Sequence, residues 1–188
     1  SAWEVEPTIT YLPIPYAGIT MGFLFCNTIE DESYSGVSKD QRWRWSSDDD
    51  SPLCHHFALR PAIQLATPAL KLGKDKDMGL SFILSPGLTI PLSVNQRLNI
   101  SYYPNVSGIW SSQRFDQVKN RGGRAIFYHI KGMFTLDLGE QYTLSAGYTF
   151  SDFDMYSGGR NMVVEGKKLT MPAFRFMHSF FVSLGYRF

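Results

Sequence analysis

Histidine, serine and aspartate are the residues that could carry hydrolytic chemistry in this chain. His178 and Ser179 are neighbours, and His55 and His56 follow an acidic run at residues 48–50. A hydrolytic site needs a nucleophile, a base and an orienting group within hydrogen-bond reach. Successive side chains of a strand point to opposite faces, so His178 and Ser179 could not pair directly. Neither place carries a specific catalytic motif, and we expect no enzymatic activity.

The same acidic run is the most plausible place for a metal ion in the sequence. Residues 48–50 are three consecutive aspartates, but they lack the spaced oxygen ligands of a dedicated calcium loop. The two cysteines form neither a CxxC pair nor a Cys/His metal spacing. We therefore expect no metal and no other cofactor.

The two cysteines are better explained by a disulfide. Cys26 ends a segment whose apolar face is odd-numbered, through Phe23, and Cys54 precedes a segment whose apolar face is also odd-numbered, through Phe57. If these segments are antiparallel neighbours, both sulfurs point to the same face and can approach bonding distance. We expect a Cys26–Cys54 disulfide in an oxidising envelope. Two free buried thiols would be the alternative in a cytosolic protein.

The polar segment 27–54 contains the most unusual local sequence, an alternation of arginine and tryptophan. Both residue types dominate binding hot spots, so the run could cover a sugar face or a partner protein. It could equally anchor a hairpin extension at a membrane rim, where aromatic residues are enriched. The candidate binding loop consists of Arg42, Trp43, Arg44 and Trp45.

Alternation with a period of two is the main structural signal, and it is clearest at the C-terminus. There the even positions are apolar or aromatic with one exception, whereas most odd positions are small or polar. Such a stretch predicts a strand with one apolar face and one mostly polar face. The even positions are Phe174, Phe176, His178, Phe180, Val182, Leu184, Tyr186 and Phe188.

Two hairpins precede this strand in the same phase. Residues 126–138 and 142–151 are predicted to pair through a tight turn at Gly139 and Glu140. Residues 78–92 and 97–106 are predicted to pair through a short link at Val94 and Asn95. The polar segments at 111–123 and 156–173 are longer. Short turns alternating with long loops are typical of transmembrane β-barrels.

Residues 1–73 allow two topologies. The apolar face is odd-numbered in residues 17–25 and 57–65, but Leu70 and Leu72 place it at even positions after Ala66. Either a turn at residues 66–68 separates two strands, or residues 11–15 form a turn and residues 55–73 form one long bulged strand. Both give eight strands. The first is preferred because it places the polar segment 27–53 among the long loops.

Composition bounds the class of protein. The chain has 188 residues, of which 44% are hydrophobic, and this length predicts one domain over residues 1–188. Its net charge of +1 gives no basic surface for nucleic acid, so we expect no nucleic-acid partner. No apolar run approaches the roughly 18 residues of a membrane-spanning helix. Strands can cross a membrane only as a closed barrel, because unpaired amides in lipid cost several kcal/mol.

The terminal stretch SFFVSLGYRF, with the hairpins before it, resembles the C-terminal signature of bacterial outer-membrane β-barrel proteins. The stretches SPGLTIPL and LGYRF also resemble barrel proteins of Bacteroidota. The resemblance implies a closed antiparallel transmembrane barrel of eight strands in the outer membrane, in contact with its lipid. It also implies recognition of the last strand by the barrel-assembly machinery, through Phe180, Val182, Leu184, Tyr186 and Phe188.

In such a barrel the polar positions face inward. An eight-stranded barrel is just wide enough to fill with side chains, so we expect a packed polar core rather than a conduction path. The inward set is Arg60, Gln64, Arg97, Asn99, His129, Lys131, Asp137, Arg175 and Arg187.

The sequence therefore favours a non-enzymatic barrel that presents loops for binding, or that serves as an accessory subunit with other envelope proteins. A lipid-modifying enzyme and a narrow pore for small solutes are the alternatives.

Overall fold

The computed structural model describes residues 2–28, 33–48, 55–73, 78–92, 97–119, 123–157, 159–170 and 175–188. Within these residues, fifteen strands and a 3-10 turn at Gly159–Asn161 make up an all-β fold. The strands are Ala2–Val5 (β1), Thr8–Ile14 (β2), Ala17–Thr28 (β3), Ser35–Val37 (β4), Trp43–Ser47 (β5), His55–Ala66 (β6), Leu70–Leu72 (β7), Met78–Pro91 (β8), Arg97–Pro104 (β9), Arg114–Lys119 (β10), Phe127–Leu138 (β11), Tyr142–Ser151 (β12), Val163–Val164 (β13), Lys167–Lys168 (β14) and Met177–Tyr186 (β15).

Nine of these strands form one antiparallel sheet, which we call the main sheet. Its order is β1, β3, β6, β8, β11, β12, β15, with β2 continuing β1 along β3 and β7 continuing β6 along β8. The nine strands therefore fill seven positions. The sheet curls into a half-barrel, with β1 and β2 at one end of the strand order and β15 at the other.

The connections of the main sheet differ at its two ends. Residues 15–16, 73–77 and 139–141 link neighbouring positions at one end, which we call the turn end. Residues 29–54, 92–126 and 152–176 link them at the other, the loop end. The hairpin predicted at Gly139 is confirmed, because β11 and β12 pair from His129 with Ser151 to Leu138 with Tyr142. Gly139 has the positive φ (71°) that the turn requires.

The preferred topology for residues 1–73 is wrong, and the second one is right for residues 55–73. Its turn lies at residues 15–16 rather than 11–15, because β2 continues to Ile14. Ala66 pairs with Ile83 and Leu70 pairs with Leu80, so both β6 and β7 lie along β8. The chain advances four residues from Ala66 to Leu70, whereas the paired stretch of β8 from Ile83 to Leu80 covers three. One extra residue on one strand of a pair is a β-bulge. One extra residue moves all later side chains to the opposite face, and this explains the change of parity after Ala66.

The main sheet buries its polar face and exposes its apolar one. Arg60 is 1% exposed on the buried face, which we call the inner face, together with Thr89, His129 and Thr149. Leu184 is 83% exposed on the opposite, outer face. The predicted faces of β8, β11, β12 and β15 are confirmed, since their exposed large apolar residues all lie at even positions. They are Met78, Phe82, Leu84, Leu88, Tyr128, Ile130, Phe134, Leu138, Tyr142, Leu144, Phe180, Val182, Leu184 and Tyr186.

The three long connections form a second structure at the loop end, which we call the cap. Its sheet has the order β10, β9, β5, β4, and the hairpin β13–β14 packs against it. The third connection thus covers one face of a sheet that the first two build. The buried core of the cap consists of Trp45, Leu98, Ile100, Tyr102, Met162, Val164 and Leu169.

The predicted placement of residues 97–106 in the barrel is therefore wrong. This segment is a strand, but β9 pairs with β5 and β10, while β8 pairs with β11. Its apolar residues at even positions lie in the cap core, and Arg97 and Asn99 are not on the inner face of the main sheet. Alternation indicates a strand with two unlike faces, but it does not say whether protein or lipid covers the apolar one. For this reason the described residues give seven positions in the main sheet rather than eight.

Within the described residues, no helix has both the length and the apolar character needed to cross a membrane.

Candidate functional site

Four charged side chains meet on the inner face of the main sheet. Arg60 of β6 donates from Nη1 to Glu6 at 2.8 Å and to Glu4 at 3.4 Å. Lys131 of β11 pairs with the other carboxylate oxygen of Glu6. The cluster therefore joins the first position of the sheet to the third and the fifth. Charges of opposite sign compensate each other there, as buried charges require.

A glycine makes space for this cluster. Gly22 of β3 lies between the first and third positions, and it is paired with Thr8 and with Arg60. A Cβ atom on Gly22 would lie 2.3 Å from Oε1 of Glu6 and 3.3 Å from Cβ of Arg60. No side chain fits at that distance without moving the ion pair.

The cluster continues into a threonine and a histidine. Nε of Arg60 donates to Thr89 at 3.3 Å, and Thr89 Oγ1 lies 3.1 Å from Nδ1 of His129. A hydroxyl beside an imidazole has the spacing of a nucleophile and a base. Both side chains are fully buried, however, so a substrate could not reach them in this arrangement.

An apolar group lies on the inner face between the charged cluster and the cap. Phe153 enters it from the third connection, and its ring meets Phe127 edge to face at 5.2 Å. Cys26 belongs to the same group, and its thiol contacts the sulfur of Met155 at 3.9 Å. This segment of the long connection thus fills the inner face at the loop end.

The predicted disulfide is not supported. Cys26 is buried with a free thiol, and its sulfur lies in the apolar group described above. Cys54 and the acidic residues Asp49 and Asp50 lie outside the described residues.

The remaining residues of the predicted polar interior are distributed along the main sheet. Gln64 is buried and accepts from Thr20 at 3.2 Å. Asp137 pairs with Arg187 at 2.6 Å near the turn end, where Arg187 is half exposed. Arg175 precedes β15, is exposed, and places its guanidinium 5.3 Å from the ring of Phe176. Arg175 is thus not part of the charged cluster.

Aromatic side chains gather on the outer face near the loop end. The Tyr148 hydroxyl bonds Nδ1 of His178, and Phe150 contacts the rings of both His178 and Phe176. Ser179 points to the other face of β15, so His178 has Tyr148 rather than a serine as its partner. The proposed assembly signal continues along the outer face, where Phe180, Val182, Leu184, Tyr186 and, beyond the strand, Phe188 are exposed.

The arginine–tryptophan run is built into the cap. Trp45 is buried in the cap core and Trp43 packs against it. Arg44 points away from the core, donates to the carbonyl oxygen of Ile109 at 3.2 Å and stacks 4.7 Å over the ring of Trp110. Arg42 is exposed. The structure therefore does not bring the four side chains together on one surface.

Hydrogen bonds order the turn that precedes this run. The Ser38 hydroxyl donates to Asp40 at 2.6 Å, and the backbone N–H of Arg42 donates to the same oxygen at 3.1 Å. These two hydrogen bonds hold the pKa of the Asp40 carboxyl below its usual value. In the cap core, burial raises the pKa of Tyr102, and the Glu165 carboxylate beside it adds to the rise.

The face of the cap sheet opposite its core carries polar and aromatic side chains. Phe115 and Gln117 of β10 lie beside Ser101 and Asn99 of β9, and Asp48 follows β5. A shallow, open depression on this sheet is lined by five residues, which are Asp48, Asn99, Phe115, Asp116 and Gln117. We call it the cap depression. Among the described residues, no three His, Cys, Asp or Glu side chains converge as metal ligands.

Sequence reasoning missed Glu4 and Glu6. The signal was present, because the odd residues Trp3, Val5 and Ile9 are apolar and the two glutamates occupy even positions between them. The same alternation that was used elsewhere would have placed both carboxylates on the inner face.

Comparison with known proteins gives no relative: no family model, no curated protein sequence and no solved structure matches this chain.

Proposed function

We propose that this protein is a non-enzymatic β-barrel of a bacterial outer membrane, and that it presents the cap as a binding surface. The observation that carries the proposal is the reversed distribution of side chains. In the main sheet the polar face is buried and the apolar face is exposed. A protein surrounded by water gains free energy from the opposite arrangement, at about 25 cal/mol per Å² of apolar surface removed from water.

The height of the apolar surface supports a membrane location. Tyr128 and Leu138 are ten residues apart on the outer face of β11, about 34 Å along the strand at about 3.4 Å per residue. At a tilt of about 40° this corresponds to about 26 Å of height, close to the apolar band of roughly 25 Å in transmembrane barrels. Aromatic side chains lie near both ends, with Phe150 toward the loop end and Tyr142 toward the turn end. Such residues belong at membrane interfaces.

The inner face supports a closed barrel without a pore. Glu6 of the first position and Phe181 of the last both approach Lys131, the latter with its ring 5.9 Å from Nζ. Side chains from the two ends of the strand order thus converge around one ammonium group, as they do inside a barrel. Because the ion cluster and Phe153 fill the inner face, we favour an anchor for the cap over a solute channel.

The cap supports the binding role. Two of the three connections form one sheet, and the hairpin of the third packs against it to complete a buried core, which is far more order than simple linkers between strands need. In an outer-membrane barrel the long connections face the outside of the cell. We propose that the cap faces outward and meets a ligand or another envelope protein there, and that the outer face of β15 is read by the barrel-assembly machinery.

Cysteine labelling of intact cells tests this orientation. In a background with both cysteines replaced by alanine, one variant carries Phe115→Cys in the cap and its control carries Glu140→Cys at the turn end. A membrane-impermeant maleimide should label the first in intact cells and the second only after lysis. The reverse pattern, or recovery of the protein in the soluble fraction, would overturn the proposal.

A further inference from the structure

The cap depression has a composition that selects among ligand classes. It combines one exposed aromatic ring with carboxylate and amide groups and lies on a sheet face away from the cap core. Its ring belongs to Phe115, which is 70% exposed.

The polar groups of the depression are held in place before any ligand arrives. The Ser101 hydroxyl donates to Asp48 at 2.6 Å, and Nε2 of Gln117 donates to Oδ1 of Asn99 at 2.9 Å. The backbone N–H of Asp48 donates to the carbonyl oxygen of Asn99 at 2.9 Å. Groups fixed on paired strands lose little conformational entropy when they bind, which raises affinity.

We propose that the cap depression binds a neutral glycan. This inference rests on the proposed function and names the ligand class of the cap. Each sugar hydroxyl is both a donor and an acceptor, so it complements neighbouring carboxylate and amide groups. The C–H face of a sugar ring is apolar and flat, and it matches the exposed ring of Phe115.

Other ligand classes fit the depression less well. A phosphate or another anion would meet the carboxylate of Asp48, and none of the described residues that line the depression is basic. A protein hot spot would need a well-packed apolar pocket, whereas Phe115 is the one apolar residue among the described residues of the lining. Charge and polarity both favour an uncharged ligand rich in hydroxyl groups.

Binding to a glycan array tests the proposal. The full-length protein should be prepared in an amine-oxide detergent, because the sugar headgroups of alkyl-glycoside detergents would compete. We expect it to bind neutral oligosaccharides on the array, with calorimetry on the strongest of them giving the affinity. The variant F115A should lose about tenfold in affinity, since a stacked aromatic contact supplies about that much. Q117A should weaken binding in the same direction.

The matched control is V163A, which shortens an exposed apolar side chain of the cap on β13. It should bind like the unchanged protein, and equal melting temperatures of all variants would exclude unfolding as the cause.

Lack of binding to every glycan, binding to anionic glycans alone, or full affinity in both F115A and Q117A would overturn the proposal. If Phe115→Cys is labelled on cells but no glycan binds, the ligand class is wrong and the cap orientation stands. If Phe115→Cys is not labelled on intact cells, the cap does not face outward and the proposed function is wrong.

Discussion

Glu6 and Lys131 form an ion pair across the inner face of the main sheet, although 125 residues separate them along the chain. They belong to its first and fifth positions, so the contact exists only when the sheet is curled. Both side chains are more than four-fifths buried, and Arg60 shares the same carboxylate. If the sheet flattened, Glu6 and Lys131 would separate and their buried charges would lose their partners. The ion pair therefore favours the curled form of the sheet.

Replacing Glu6 with glutamine should destabilise the protein strongly. Among the described residues, the change leaves Glu4 as the one carboxylate beside Arg60 and Lys131. Removing one member of a buried ion pair costs about 3 to 5 kcal/mol. Urea unfolding in detergent measures the loss. The control is Asp137→Asn, whose partner Arg187 is half exposed; it should cost about 1 kcal/mol or less. Similar losses in both variants would contradict a special role for the cluster.

Gly22→Ala should also be destabilising, for a steric reason. The added Cβ would meet Glu6 Oε1 at 2.3 Å, so the ion pair must separate or the strands must shift. Gly132→Ala on β11 is the matched control, because its Cβ would meet only the ring of Phe82 at 3.5 Å. We expect a lower melting temperature for the first variant and little change for the second. A tolerated Gly22→Ala would mean that the cluster has another arrangement.

Charge on the outer face should impair assembly far more than charge on the inner face. Leu184→Asp places a carboxylate on the proposed lipid face, where charge costs up to a few kcal/mol in the middle of the bilayer and less near its edges. Ser183→Asp points to the opposite face, so its effect should be small. Tyr186→Asp, nearer the turn end, should lie between them. The fraction of heat-modifiable barrel on a gel reports assembly, and equal tolerance at all three positions would refute the assigned faces.

The alternation of residues was sufficient to predict the main-sheet strands β8, β11, β12 and β15 and their faces, but not β10, β13 and β14, which lie in segments predicted as loops. It could not predict which strands pair, since β9 has the same alternation as its neighbours although its apolar residues Leu98 and Ile100 lie in the cap core. The parity change at Ala66 was visible in the sequence, but a bulge and a turn both produce it. Contacts between distant segments, such as Glu6 with Lys131, depend on curvature that no local pattern encodes.

Acidification should loosen the turn between β4 and β5. The hydrogen bonds from Ser38 and Arg42 depress the pKa of Asp40, so the carboxylate stabilises the turn at pH values above its unfolded pKa. This contribution is lost as the pH falls through the lower pKa of the folded state. NMR shifts of the Arg42 amide should therefore titrate below pH 3.8, the ordinary value for aspartate. In Asp40→Asn, which cannot titrate, this transition should be absent; its persistence would assign it to another group.

Cys26 should behave as a free thiol that is protected by burial. It is fully buried against Met155 and the apolar group at the loop end, so a reagent can reach it only when this part of the inner face opens. Without reductant, iodoacetamide should leave Cys26 unmodified in the folded protein and should alkylate it in urea. Peptide mass spectrometry after digestion measures both states. Met155→Ala is a useful companion variant, because it removes the neighbour of the sulfur and should speed the reaction of the folded protein. A non-reduced peptide that joins Cys26 to Cys54 would instead establish the disulfide that the sequence predicted, and would show that the inner face at the loop end is packed differently.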